Sequence, residues 1–109
     1  MNDSILTSIK KLLGIGENDT SFDTDILLHI NSTFSVLTQL GIGPKEGYSI
    51  GSKSETWSDY IDDNKKQQMV VSYMYLKVRL LFDPPQSSVL VQAIKDQISE
   101  QEFRLTVSD

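Results

Sequence analysis

The stretch from Met69 to Phe82 constrains the fold more than any other part of this chain. It contains eleven apolar or aromatic residues and only three polar ones, which are Ser72, Lys77 and Arg79. On a helix the apolar residues occupy three faces, and a helix that is apolar nearly all round has to be buried nearly all round. The sequence therefore predicts a central helix with other elements packed around it.

The central helix is predicted to run from Lys65 to Phe82, with Asn64 as its cap. Asp83-Pro84-Pro85 ends it, because a proline cannot continue the amide hydrogen bonds and disfavours helical geometry in the residue before it. A last helix is predicted from about Ser88 to Leu105, with a narrow apolar stripe on an otherwise polar cylinder.

Two helices are predicted before the central one. Apolar residues recur at helical spacing from Ser4 to Leu13, and Gly14 supplies a C-terminal stop. The second helix is capped by Asp23 or Thr24 and ends at Leu40.

A long irregular segment, rich in glycine, is predicted from Gly41 to Lys53, with a short hairpin around Tyr48 to Ile50. Ser54 is expected to cap a turn that carries Trp57 and Tyr60. The 109 residues, numbered 1–109, are expected to form one domain. The predicted fold class is all-α: a small helical bundle of about four main helices, with a long glycine-containing loop between the second and the third.

The other helices have too little apolar surface to cover the central helix on every side. We expect another chain to share its burial, although packing alone is also consistent with an ordinary central helix of a bundle. Lys77 and Arg79 lie among apolar residues, so we expect them to meet carboxylates within an assembly, with Asp96, Glu100 or Glu102 as candidates.

The composition excludes several classes of protein. The chain has no cysteine, so it has no disulfide framework or thiolate metal site, and a reducing compartment is predicted. The net charge of -5 argues against an electrostatic grip of the whole chain on DNA or on an anionic membrane. Met1 to Ser4 lacks the basic start of a signal sequence, and no apolar run approaches the roughly 20 residues of a membrane span.

No stretch predicts a catalytic, cofactor or metal site. Gly47 to Ser54 resembles a phosphate-binding loop, but Ser52 replaces a required glycine and a helix precedes the stretch where a strand is needed. His29 has no second histidine or cysteine to complete a metal pair. Two groups of acids are interpreted as solvated or capping residues rather than calcium ligands or acid–base pairs: Glu17, Asp19, Asp23 and Asp25, and Asp59, Asp62 and Asp63.

Several stretches together resemble one family. The most specific is Tyr73 to Pro85, with the sequence Tyr-Met-Tyr-Leu-Lys-Val-Arg-Leu-Leu-Phe-Asp-Pro-Pro. Supporting stretches follow in the expected order: Asp25-Ile26 with Ile30-Asn31, Leu37 to Gly41, Trp57 to Tyr60 and Ile94 to Leu105. The chain resembles the small head-to-tail connector proteins, also called adaptor or head-completion proteins, of long-tailed bacteriophages and prophages.

The resemblance implies a helical, non-enzymatic subunit that joins about a dozen copies in a closed ring beneath the portal protein. The ring would extend the DNA channel without sequence-specific DNA binding, and it would dock a tail-joining or stopper protein. The expected location is the head–tail junction of the virion, after assembly in the bacterial cytoplasm. Candidate contacts with other subunits or the portal are Tyr48, Ile50, Trp57, Tyr75, Lys77, Val78, Arg79, Phe82, Phe103 and Leu105.

Two alternatives remain open from the sequence. One is a small DNA-binding regulator of the helix-turn-helix kind, because the central helix carries basic residues and no acid. The other is a different phage structural adaptor, which only its binding partner would distinguish.

Overall fold

The computed structural model describes residues 3–107 and confirms an all-helical fold. The helices of this range are α1 (Ile5–Leu12), α2 (Asp23–Gln39), α3 (Trp57–Tyr60), α4 (Asn64–Phe82) and α5 (Ser88–Val107). The range contains no strand, and its single β-bridge pairs Ser4 with Thr56. The predicted hairpin around Tyr48 to Ile50 is therefore wrong.

Helix α1 is one residue shorter at each end than predicted, because Ser4 and Leu13 are its caps. An ion pair with a buried lysine ties α1 to the start of α2. Ser4 caps α1 by accepting a hydrogen bond from the Thr7 amide at 3.2 Å. The Lys10 side chain is buried, and its Nζ lies 2.8 Å from a carboxylate oxygen of Asp23 and 3.2 Å from the carbonyl oxygen of Glu17. Asp23 is thus the first residue of α2 and a partner for α1, not the predicted cap; Phe22 holds the cap position.

The caps of α3 and α4 differ from the predicted ones by one or two residues. Thr56, not Ser54, caps α3, in a reciprocal capping box with Asp59. Asp63, not Asn64, caps α4 by accepting from two amides of its first turn, at 2.9 and 3.3 Å. Asp59 and Asp63 therefore have the capping role expected of this group of acids.

Helix α4 is the centre of the fold, since α1, α2 and α5 all pack against it. Its buried apolar side chains are Val70, Tyr73, Met74, Leu76 and Val78. The partners contribute Ile5, Leu6 and Ile9 from α1, Ile26, Ile30, Phe34 and Leu37 from α2, and Ile94, Ile98 and Leu105 from α5.

The irregular segment, residues 40–56, packs against this core. The Asn31 side chain of α2 donates to the Ile50 carbonyl at 2.9 Å and accepts from the Ile50 amide at 2.8 Å, as a neighbouring strand would. The rings of Phe34, Tyr48 and Tyr60 contact one another, with centroids 4.7 to 5.1 Å apart. The segment is thus held at several points along its length. Within residues 3–107, no helix has the length and apolar character needed to span a membrane.

Candidate interaction surface

The chain does not enclose its own central helix. Of the apolar residues between Met69 and Phe82, five are buried, five are partly buried, and Leu81 is 56% exposed. The partly buried ones are Met69, Val71, Tyr75, Leu80 and Phe82. The expectation that one chain would leave part of this helix open is therefore met by the structure.

The open side of α4 forms a groove between α1 and α5. Its floor contains Gln68, Ser72, Tyr75 and Arg79, whose spacing of 4, 3 and 4 residues places them on one face of the helix. Neighbouring clefts share these residues and so join along the helix. We call this surface the α4 groove. Val71 also belongs to its floor, and Leu12 of α1 forms one wall. The other wall is formed by α5, through Leu90, Ala93, Gln97, Gln101 and Arg104.

Arg79 brings a positive charge to this groove. Its guanidinium donates a hydrogen bond to the Tyr75 hydroxyl at 3.1 Å. This hydroxyl is a neutral acceptor, and the bond uses one of the five N–H donors of the guanidinium. Asp83 lines the same end of the groove but makes no ion pair with Arg79. The positive charge of Arg79 is therefore not neutralised by an acid within ion-pair distance in the described part of the chain.

The acids suggested as partners for Lys77 and Arg79 make other contacts within the subunit. Asp96 accepts from the Gln92 side chain at 2.9 Å, and Glu100 pairs with Arg104 at 2.7 Å. Glu102 accepts a 2.6 Å hydrogen bond from the Tyr73 hydroxyl, which links α5 to α4. Burial of Tyr73, together with this carboxylate, raises the pKa of the phenol above its ordinary value.

Four of the ten candidate contact residues lie in the subunit's own core. Ile50, Trp57, Val78 and Leu105 are each at most 4% exposed. A neighbouring chain cannot reach these side chains in the folded subunit, so the proposed interface is restricted to the other six.

The other six candidates are at least partly accessible. Tyr75, Lys77 and Arg79 of α4 are partly buried, and Phe103 of α5 is 57% exposed. Tyr48 and Phe82 are also partly buried, each in an aromatic contact within the subunit; Phe82 meets the ring of Phe22 edge to face. Of the six, only Tyr75 and Arg79 line the α4 groove.

A second open surface lies on α5, and only its residues Asp96, Glu100 and Phe103 were singled out from the sequence. Six residues face away from the core at a regular spacing of 4, 3, 4, 3 and 4, and all six are exposed. We call this the outer α5 face, and it consists of Val89, Ala93, Asp96, Glu100, Phe103 and Val107. The spacing is visible in the sequence and is typical of helices that pack lengthwise on one another.

The segments that resembled ligand sites have structural roles instead. The amides of Gly51 and Ser52 donate to the Glu55 carboxylate at 2.9 and 3.3 Å. In the stretch that resembles a phosphate-binding loop, these amides therefore bind a carboxylate of the same chain. The Gly51 amide is also the main reason that the pKa of Glu55 lies below its ordinary value. Asp19 accepts from the Ser21 amide, and residues 3–107 hold no group of three metal-binding side chains.

The fold and these two surfaces define a small all-helical protein with open helical faces suited to binding other proteins. A family model described as phage connector protein matches residues 5–109, which is nearly the whole chain. The chain belongs to this family of phage connector proteins, which is a structural family of the virion head–tail junction. A search of curated proteins and a search of solved structures each gave no match.

Proposed function

We propose that this protein is a subunit of a ring of about a dozen copies that attaches beneath the portal. The ring extends the DNA channel and presents a docking surface for the next tail-joining or stopper protein. Family membership supports the connector role. The ring assembles in the bacterial cytoplasm and remains at the head–tail junction of the virion.

The observation that carries this proposal is the incomplete cover of α4. Leu12 is 48% exposed beside the partly buried Val71 and Tyr75, so the α4 groove presents apolar surface to water along the central helix. Contiguous apolar surface of this kind marks protein interaction sites. A ring in which each copy binds the next uses two different patches of one chain, which is a heterologous contact.

The charge of the chain suits a channel through which DNA slides. The subunit carries a net charge of -5, so a ring of copies repels phosphate groups on the whole. The basic residues of α4 favour the alternative of a DNA-binding regulator. However, Lys77 and Arg79 are partly buried, whereas a recognition helix presents its basic and polar side chains to the DNA groove.

The test is to mix the purified chain with purified portal rings and to examine the product by electron microscopy and native mass spectrometry. We expect a second ring of density below the portal with cyclic symmetry. Absence of binding to the portal, together with DNA retention that falls steeply with salt, would instead support the DNA-binding alternative. Binding to a different phage component and not to the portal would identify another structural adaptor.

A further inference from the structure

The outer α5 face combines apolar ends with an acidic centre. Val89 and Val107 are 75% and 64% exposed, and Phe103 is also largely exposed. Asp96 and Glu100 lie between them on the same face of the helix. Phe103 and Val107 are one helical turn apart and present adjoining apolar side chains to solvent, so this end of the face is suited to contact with another surface.

The α4 groove has the complementary chemistry. One wall and part of its floor are apolar, at Leu12, Val71 and Tyr75. Arg79 contributes a positive charge that has no acid within ion-pair distance among residues 3–107. The groove is therefore suited to an apolar helix that carries a carboxylate on the same face, as in other cases where a helix binds between two helices.

The groove matches the central part of the outer α5 face in length. From Gln68 to Arg79 the groove follows α4 for about 16 Å, at about 1.5 Å per residue. The whole outer α5 face, from Val89 to Val107, covers about 27 Å by the same measure, and its part from Ala93 to Phe103, which holds both acids, covers about 15 Å. Ala93 belongs both to the groove wall and to the outer α5 face, so the two surfaces adjoin along α5 and one chain carries both halves of the contact.

We propose that the outer α5 face of one copy docks into the α4 groove of the next, where Asp96 or Glu100 pairs with Arg79. This inference rests on the proposed function, since it describes the contact between neighbouring copies of the ring. Each copy then gives its α5 to one neighbour and receives α5 from the other. The contact neutralises Arg79 and covers the groove together with the central part of the outer α5 face, and the α5 helices of successive copies lie side by side.

The first experiment is charge reversal, read out as assembly on portal rings and as self-association at high protein concentration. Arg79→Glu is expected to weaken association on the order of tenfold or more, because like charges then face each other in a largely apolar contact. The combined Asp96→Arg and Glu100→Arg variant is expected to be weakened similarly. Mixing the Arg79→Glu chain with the Asp96→Arg/Glu100→Arg chain is expected to restore association.

The matched controls are Lys45→Glu and Asp62→Arg. Both residues are exposed and lie outside the two surfaces, and the substitutions change the net charge by the same amount per site. They are expected to leave association within about twofold of that of the unmodified chain, since exposed distant charges are screened by salt. Circular dichroism and thermal melting check that every variant remains folded.

The second experiment uses cysteine crosslinking, because the chain has no cysteine of its own. Ser72→Cys, on the floor of the α4 groove, is mixed in turn with Val89→Cys, Ala93→Cys, Phe103→Cys and Val107→Cys chains under brief oxidation. We expect a disulfide-linked pair with at least one of these partners, and none between Ser72→Cys chains alone. Ser32→Cys, an exposed position of α2, is the control that reports random collision.

The outcomes separate this inference from the proposed function. A ring that forms on the portal, yet tolerates both charge reversals and gives no crosslink above the Ser32→Cys control, would overturn the docking inference and leave the function intact. Efficient crosslinking of Ser72→Cys to itself would also overturn it, because it would place the groove in a symmetric contact. Failure to form any assembly, with or without the portal, would overturn both.

Discussion

Replacing Gly43 with alanine tests how the irregular segment is held on the core. Gly43 has φ of +82°, a conformation that side chains with a Cβ rarely adopt. An added Cβ would lie 2.6 Å from Cε1 of Tyr60, 2.7 Å from its hydroxyl oxygen and 2.8 Å from Cζ. The Tyr60 ring is 5% exposed and its hydroxyl donates to the Ile42 carbonyl, so it cannot move aside without disturbing the core.

The expected loss of stability has a conformational and a steric part. The left-handed conformation costs about 1–2 kcal/mol for alanine, and forcing an additional carbon into a packed site costs about 1–3 kcal/mol. Reduced freedom of the unfolded chain returns about 0.4–1 kcal/mol. Gly43→Ala should therefore lower the free energy of unfolding by about 3 kcal/mol, within a range of about 1–5 kcal/mol. At about 4–8 °C per kcal/mol, a loss of about 3 kcal/mol is a decrease in Tm of roughly 12–24 °C.

Gly41 offers a matched control. Its φ of +84° is nearly the same, but an added Cβ would have no atom within 4 Å. Gly41→Ala should cost only about 1 kcal/mol, so the difference between the two variants measures the steric part. The assay is urea unfolding followed by circular dichroism. Equal destabilisation by the two substitutions, or no effect of Gly43→Ala, would refute the argument that the Tyr60 ring fills this space.

Three further predictions concern stability and the irregular segment. Lys10→Met should lower the free energy of unfolding by about 1–3 kcal/mol, because it removes the partner of the partly buried Asp23 carboxylate. Lys11 is exposed, so Lys11→Met should change the free energy of unfolding by less than about 0.5 kcal/mol. Equal effects of the two substitutions in chemical unfolding would contradict the role of the ion pair. Asn31→Ala should speed proteolysis of the irregular segment in the free subunit while Ser32→Ala does not, and unchanged cleavage rates would show that the two hydrogen bonds to the segment are dispensable. Burial raises the pKa of Tyr60 to about 12, from 10.0, so the folded state keeps a proton that the unfolded chain loses. Stability is therefore expected to be full below pH 10 and to fall between about pH 10 and 12, by up to about 1.4 kcal/mol per pH unit; Tyr60→Phe should reduce this slope in pH-dependent melting, and an unchanged slope would contradict the assignment.

The positions of the helices could be predicted because their signals are local. The stop of α4 follows from Asp83-Pro84-Pro85, and Ser4 and Gly14 delimit the first helix, within the few residues that interact there. The same local patterns carried the resemblance to the connector family, and the family match over residues 5–109 confirmed it. The caps were less predictable, because both Ser54 and Thr56 are residue types that cap helices. Thr56 is the cap in the structure, where the side chains of Thr56 and Asp59 each accept a hydrogen bond from the other's amide.

The sequence alone also determined that the stretch from Met69 to Phe82 has more apolar surface than a small bundle can easily cover. Which part stays uncovered was decided by tertiary packing, because α1, α2 and α5 approach α4 from particular sides and leave one side open. Val78 and Tyr75 both looked like contact residues, yet Val78 is fully buried and Tyr75 lines the α4 groove. Helical periodicity states which residues share a face, but only the arrangement of neighbouring helices determines which face meets water.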